Sequence, residues 1–212
     1  IILSLITNAT ESDKTKSDKG KIPFKANNPG GKCFDDKTHI INVGFGFGSY
    51  GYYRAGVLGG YTYRSSPAIT LTYEQAYPKK LGPGYLGVGA LLGYKTASSR
   101  YDNYYYQGSK YYFENRWTYT MFAARAVYHW DGLNAYNAEV YGGAILGFGV
   151  STYSYKTNGT DPDIGVYKKS GGVYPIVGLF AGARWYFVPK IALFGEAGYG
   201  ISVLNAGVSF KF

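Results

Sequence analysis

Five charged residues stand where charge is costly. Glu74, Arg125, Glu139, Arg184 and Glu196 each lie in a stretch of alternating residues, on the face opposite the apolar one. Each is also near a short turn, so strands running side by side bring all five to one depth. A charge inside a protein is tolerated only when paired and hydrogen-bonded. Two arginines among three carboxylates therefore predict an ionic cluster, either a plug that fills an interior or a gated path for ions. The plug is favoured, because a barrel of eight strands has an interior just wide enough for side chains to fill.

Other reactive residue types are sparse. Histidine occurs only at His39 and His129, and a membrane-embedded hydrolase or acyl transferase needs a nucleophile activated by such a group. Both histidines fall at the short-turn rim, and His129, between Tyr128 and Trp130, reads as part of an interfacial aromatic girdle. No catalytic, cofactor-binding or metal-binding residue is predicted, and the chain is read as not an enzyme. Cys33 is the single cysteine; it has no disulfide or CxxC partner and reads as an incidental free thiol. Gly46-Phe47-Gly48-Ser49-Tyr50-Gly51 matches GxGxxG, but no helical period follows it, so it does not read as a dinucleotide site. The formal charge of +9 points to an acidic partner. With no recognition-helix pattern, and with basic residues spread over termini and loops, nucleic acid is set aside in favour of anionic lipid.

The elements that must position these residues are strands. With 31 glycines and 25 tyrosines, the composition disfavours helices and suits tightly curved sheets with aromatic girdles. At the end of the chain Leu204, Ala206, Val208, Phe210 and Phe212 alternate with Asn205, Gly207, Ser209 and Lys211, a period of two. The same alternation recurs at 38–48, 67–76, 84–96, 116–130, 135–153, 174–187 and 190–199. Short turns at Tyr77–Pro83, Asp131–Asn134 and Val188–Pro189 contrast with long excursions at 49–66, 97–115 and 154–173, a layout of short turns on one side of a membrane and long loops on the other. No apolar run of about 18–20 residues exists, so any crossing is made by strands. A soluble lipocalin-like barrel is the alternative, but its core would be lined by glycines and full of voids. The expected fold is all-β, an eight-stranded antiparallel transmembrane up-and-down β-barrel over 38–212, preceded by a loosely structured N-terminal extension.

That extension, 1–37, opens with Ile-Ile-Leu-Ser-Leu-Ile, either the remnant of a signal-peptide apolar region or part of a mature extension. Lys14, Lys16, Lys19, Lys21, Lys25 and Lys32 then lie among Asp, Ser, Asn, Pro and Gly, a composition that builds no core and reads as a periplasmic leader. In the second long excursion Arg100, Tyr104, Tyr105, Tyr106 and Lys110 form a candidate partner-contact loop, since Tyr and Arg are favoured at interaction hot spots.

The alternating segments, the asymmetry of the connections and the ending GEAGYGISVLNAGVSFKF resemble the small OmpA or OmpX type of outer-membrane barrel. The ending is similar to the porin-like barrels of Bacteroidetes-type bacteria. The resemblance implies a Gram-negative outer membrane with both termini periplasmic, and makes Phe210 and Phe212 a C-terminal signal for the barrel-assembly machinery. It also implies contact with outer-membrane lipid and lipopolysaccharide. An OmpA-type peptidoglycan-binding domain, and with it a wall-anchoring role, is not expected. The expected role is a structural or interaction component, an accessory subunit of a larger outer-membrane assembly. A narrow pore for small solutes and a lipid-modifying enzyme are the alternatives.

Overall fold

Alternating apolar residues become the outer wall of a closed ring. The computed structural model describes residues 33–48, 56–58, 60–106, 108–133, 135, 137–159 and 171–212. Their strands are β1 (His39–Phe47), β2 (Gly56–Leu58), β3 (Tyr61–Ser65), β4 (Ala68–Leu81), β5 (Gly84–Tyr106), β6 (Ser109–Trp130), β7 (Ala138–Thr157), β8 (Gly172–Val188), β9 (Ile191–Gly198) and β10 (Leu204–Lys211). Eight of them, β1 and β4 to β10, pair antiparallel with their neighbours, and β1 closes the ring on β10 through Ile40↔Lys211 to Phe47↔Leu204. The ring therefore has the expected eight strands, and the remaining two lie outside it. They form a short hairpin in the first long excursion, in which β3 pairs with Ala97–Tyr101 of β5.

The wall is inverted relative to a soluble protein. Val43, Phe45, Ile69, Leu71, Leu92, Phe122, Leu146, Val177, Leu179 and Leu193 all face outward and exposed. The interior instead holds Asn42, Thr70, Thr72, Glu74, Arg125, Glu139, Arg184 and Ser209. An apolar surface this continuous is stable only against hydrocarbon. On β8 the outward parity is apolar from Pro175 through Val177, Leu179, Ala181 and Ala183 to Trp185. At about 3.3 Å per residue and a tilt of roughly 35–45°, that stretch rises about 23–27 Å, close to the apolar band of an outer-membrane barrel.

The short turns follow from local chemistry. Leu81 pairs with Gly84 across Gly82 and Pro83; Gly82 takes φ +57°, a left-handed value glycine adopts at no steric cost, and the proline ring fixes the next φ. The expected turn over Tyr77–Pro83 is therefore shorter, because β4 continues through an irregularity between Ala76 and Lys80. A 3-10 turn at Asp131–Leu133 and the turn at Pro189–Lys190 lie at the same end. Lys80 Nζ contacts Asp131 Oδ2 at 3.3 Å, joining two of these turns.

At the other end, the excursion 97–115 is not a loop. β5 and β6 stay paired out to Tyr106↔Ser109, and β7 follows β6 to Phe113↔Thr157. With β3 at its side, this sector stands beyond the barrel as a sheet, whereas β9 and β10 are joined by a short link. Residues 49–55 and 160–170 lie outside the described residues.

The lumen is filled in layers. Leu91, Met121, Ala123, Ile145 and Ile176 form an apolar layer toward the long-connection end, packed by Phe180 and Ile201. Charged groups lie beneath it. Glycine makes room for the larger neighbours: a Cβ on Gly44 would stand 2.7 Å from Asn205 Oδ1, 2.8 Å from Phe194 Cζ and 2.8 Å from Thr70 Oγ1. Gly44→Leu overfills this part of the lumen and is expected to cost about 1–3 kcal/mol in urea unfolding; an unchanged midpoint would show that the lumen yields freely.

Candidate functional site

The charged layer is one connected network. β6 contributes Arg125 and His129, β4 Glu74, β7 Glu139, β8 Arg184 and β9 Glu196, all on inward-facing positions. Arg125 holds Glu196 with both terminal nitrogens, Nη1 to Oε2 at 3.1 Å and Nη2 to Oε1. This fork-to-fork geometry is the strongest form of the pair. Arg125 Nε then approaches Glu74 Oε2 at 3.9 Å. The other Glu74 oxygen meets His129 Nε2, and His129 Nδ1 lies 3.3 Å from Glu139 Oε2. Glu139 Oε1 accepts from Arg184 Nη1, whose Nε donates to Ser209 Oγ at 3.0 Å and whose Nη2 reaches Asn42 Oδ1 at 3.5 Å.

Neutral side chains complete the shell. Asn42 Nδ2 donates to Thr72 Oγ1 at 2.6 Å, and Tyr141 Oη donates to Glu196 Oε1 at 3.0 Å. Arg125 lies 3.9 Å over the Phe180 ring and Arg184 4.8 Å over that of Tyr141. Both guanidiniums thereby stand over aromatic faces, where their charge is favoured.

The geometry also sets the charge of His129. A neutral imidazole carries one N–H and one lone pair, so one of the two facing carboxylates would meet a lone pair. With both ring nitrogens protonated, each carboxylate meets a donor. The network then holds three anions and three cations and is neutral as a whole.

The sequence places Glu74, Arg125, Glu139, Arg184 and Glu196 on inner faces, and the structure joins them through His129. That residue is the correction. It is 3% exposed and inside the lumen, not in the girdle, because it shares the inward parity of Arg125 while Tyr128 and Trp130 face outward. His39 does stand at the rim, 2.8 Å from Tyr73 Oη and stacked on Phe212 at 5.7 Å.

Residues 33–37 also depart from expectation. They are not loose but are seated in the short-turn mouth of the barrel. Phe34, 4% exposed, lies parallel to the His129 ring at 3.6 Å between centroids and packs with Ile40, Ala76 and Tyr85. Cys33 is a buried free thiol near Tyr186 and Ala192, and donates toward the carbonyls of Ala138 at 3.5 Å and Ala135 at 3.6 Å. Burial, reinforced by the Glu139 carboxylate, pushes the thiol up to about 11. Residues 1–32 lie outside the described residues.

The candidate contact residues are on the protruding hairpin. Arg100 Nε donates to Asp102 Oδ1 at 2.7 Å and the guanidinium lies 4.0 Å over the Tyr112 ring. Tyr104 packs on Tyr111 and Phe113, and Lys110 Nζ stands 5.9 Å from the ring of Tyr105, which is 67% exposed. Tyr106 pairs with Ser109 through the backbone, and its side chain lies outside the described residues. Phe210 and Phe212 are on the outer face of the closing strand, 42% and 59% exposed.

No protein-family model matches the chain, and no curated protein matches it. Two solved structures of Ail, the attachment invasion locus protein of Yersinia pestis, are similar. The complex with the heparin analogue sucrose octasulfate has a TM-score of 0.40 and 11% identity, covering 83% of this chain and 99% of that one. The second Ail structure gives 0.37 and 11% over the same shares. A likeness this distant bears on neither site nor activity; the barrel stands on its own strand pairing.

Proposed function

We propose that this chain is a non-enzymatic component of a Gram-negative outer membrane. Its lumen is closed by the ion-pair network, and its protruding sheet meets a partner, another outer-membrane protein of a larger assembly. The observation that carries this reading is the unbroken run Glu196–Arg125–Glu74–His129–Glu139–Arg184 across the lumen, from five strands. Three cations facing three carboxylates inside so narrow a ring support a closed lumen. His129, the histidine of the interior, has both ring nitrogens on carboxylates and so is not disposed to activate a hydroxyl nucleophile.

The short turns at one end and the protruding sheet at the other support a periplasmic place for the termini. Phe210 and Phe212, exposed on the closing strand, suit recognition by the assembly machinery. On the membrane-facing parity of the sheet, a row of Thr96, Thr118 and Thr152 is followed outward by Arg64, Ser98, Arg116 and Ser154. Hydroxyl and guanidinium rows just beyond an apolar band suit lipid or lipopolysaccharide phosphates.

A narrow pore is the second reading. It is favoured by a recess lined by Thr70, Ser202 and Asn205 that descends to Arg125 and Glu196. Single-channel conductance in a planar bilayer separates the two. The parent is expected to be silent and a variant carrying Arg125→Ala with Arg184→Ala to leak; steady ion-selective current from the parent makes the protein a pore.

A further inference from the structure

The ion-pair network is covered at the short-turn mouth by a piece of chain that belongs to no strand. Residues 33–37 precede β1, and no ladder pairing involves them. They are shaped by a compact turn. Asp35 N donates to Thr38 Oγ1 at 3.0 Å, Thr38 Oγ1 donates to Asp35 Oδ1 at 2.7 Å, and Lys37 N donates to the same carboxylate oxygen at 3.0 Å. This turn aims Phe34 back into the lumen, flat on the His129 ring, while Lys211 Nζ holds the Cys33 carbonyl at 3.4 Å. Thr38 marks the boundary, since its carbonyl accepts from Ala76 N at 2.9 Å and the barrel ladder begins at the next residue.

We infer that residues 33–37 are a stopper, seated by the Phe34–His129 stack, that seals the short-turn mouth over the charged network and can leave it without opening the barrel. The inference rests on the reading of the lumen as closed, and adds that one of its two ends is closed by a removable part. Withdrawal breaks one ring stack, two thiol contacts, one lysine contact and the apolar packing of Phe34 and Cys33, but no strand pairing. The seat itself is permanent. The His129 ring is clamped edge-on by Glu74 and Glu139, with Tyr141 at 5.4 Å, so one flat face is left for an aromatic side chain. With the stopper out, water from that side reaches His129, Glu74, Glu139 and Arg184. With it in, these four are at most 4% exposed.

The protein carries its own reporter. Cys33 is the single cysteine of the chain, and it sits in the stopper. Moving its thiol from 9.0 to about 11 lowers the reactive thiolate about a hundredfold at neutral pH, and burial lowers access further. The full chain, folded in detergent micelles, would be treated with a charged maleimide and the labelling rate compared with that of the same chain unfolded in urea. The wild type is expected to label at least about a hundredfold more slowly when folded. Phe34→Ala is expected to raise the folded rate at least tenfold while the barrel keeps its heat-dependent gel mobility. Phe34→Tyr, which keeps the stack, should label at the wild-type rate. Phe34→Leu keeps bulk but loses the stack; it is expected to label faster than wild type, and carries the test should the alanine variant fail to fold.

Folded wild type that labels at the unfolded rate, or aromatic-free variants that label no faster than wild type, would overturn the stopper. Failure of the closed-lumen reading looks different, because a parent that conducts steadily while protecting Cys33 loses the plug and keeps the stopper.

Discussion

Leu179→Arg is expected to destabilise the barrel by about 2–4 kcal/mol in lipid vesicles, the cost of an arginine on the lipid face near the bilayer midplane. Leu179 is 72% exposed and lies about midway along β8 between Tyr174 and Trp185. Its neighbour across the ladder is Ala144, with Leu146 opposite Val177 one step further, so the new guanidinium finds no partner nearby. On a soluble barrel the same substitution would fall within about 0.5 kcal/mol, as exposed surface changes generally do. Tyr105→Arg is the internal control. Tyr105 is 67% exposed, similar to Leu179, but lies on the hairpin beyond the apolar band, and its replacement is expected to stay within that smaller range. The measurement is urea unfolding of both variants in the same vesicles. Equal small effects would show that the outer wall does not meet hydrocarbon, and would restore the soluble-barrel reading.

Period-two alternation made the eight barrel strands legible because its cause is local: each residue of a lipid-facing strand meets either hydrocarbon or lumen. Where that cause ends, so does the signal. In 97–115 neither face meets hydrocarbon, so Ser, Asn, Tyr and Arg occur on both parities, and a paired hairpin reads as a loop. The inward charges were legible for the same local reason, each standing opposite an apolar face. His129 shares the parity of Arg125, but its aromatic neighbours on the other face equally suit a girdle, so the local sequence does not separate the two. Tyr141, on the parity of Glu139, carries the same inward signal. Ser209 and Asn42 are short polar residues on inner faces, and nothing in sequence names Arg184 as their partner. The seating of Phe34 was not legible at all, since it depends on a gap between distant strands and a turn only two residues away from β1.

Glu139→Ala is expected to be the most damaging single change in the lumen, costing about 3–5 kcal/mol in urea unfolding, the range for removing one partner of a buried pair. Glu139 accepts from both Arg184 and His129, so its loss strands two cations and leaves the network one positive charge in excess. Arg184 is 1% exposed and has no route to water that keeps its bonds to Ser209 and Asn42. Removing the pair together is a different experiment. Glu139→Leu with Arg184→Met keeps comparable volume and leaves Glu74 and Glu196 facing Arg125 and His129, two against two. Replacing a buried pair by apolar groups of similar size is often neutral or stabilising, so the double variant is expected to recover most of the stability, short of the hydrogen bonds lost at Ser209 and Asn42. A double variant as unstable as Glu139→Ala would mean that shape, not charge balance, holds this layer. A cost below about 1 kcal/mol for Glu139→Ala would mean that water already reaches Arg184, and that the lumen is wetter than so tight a network allows.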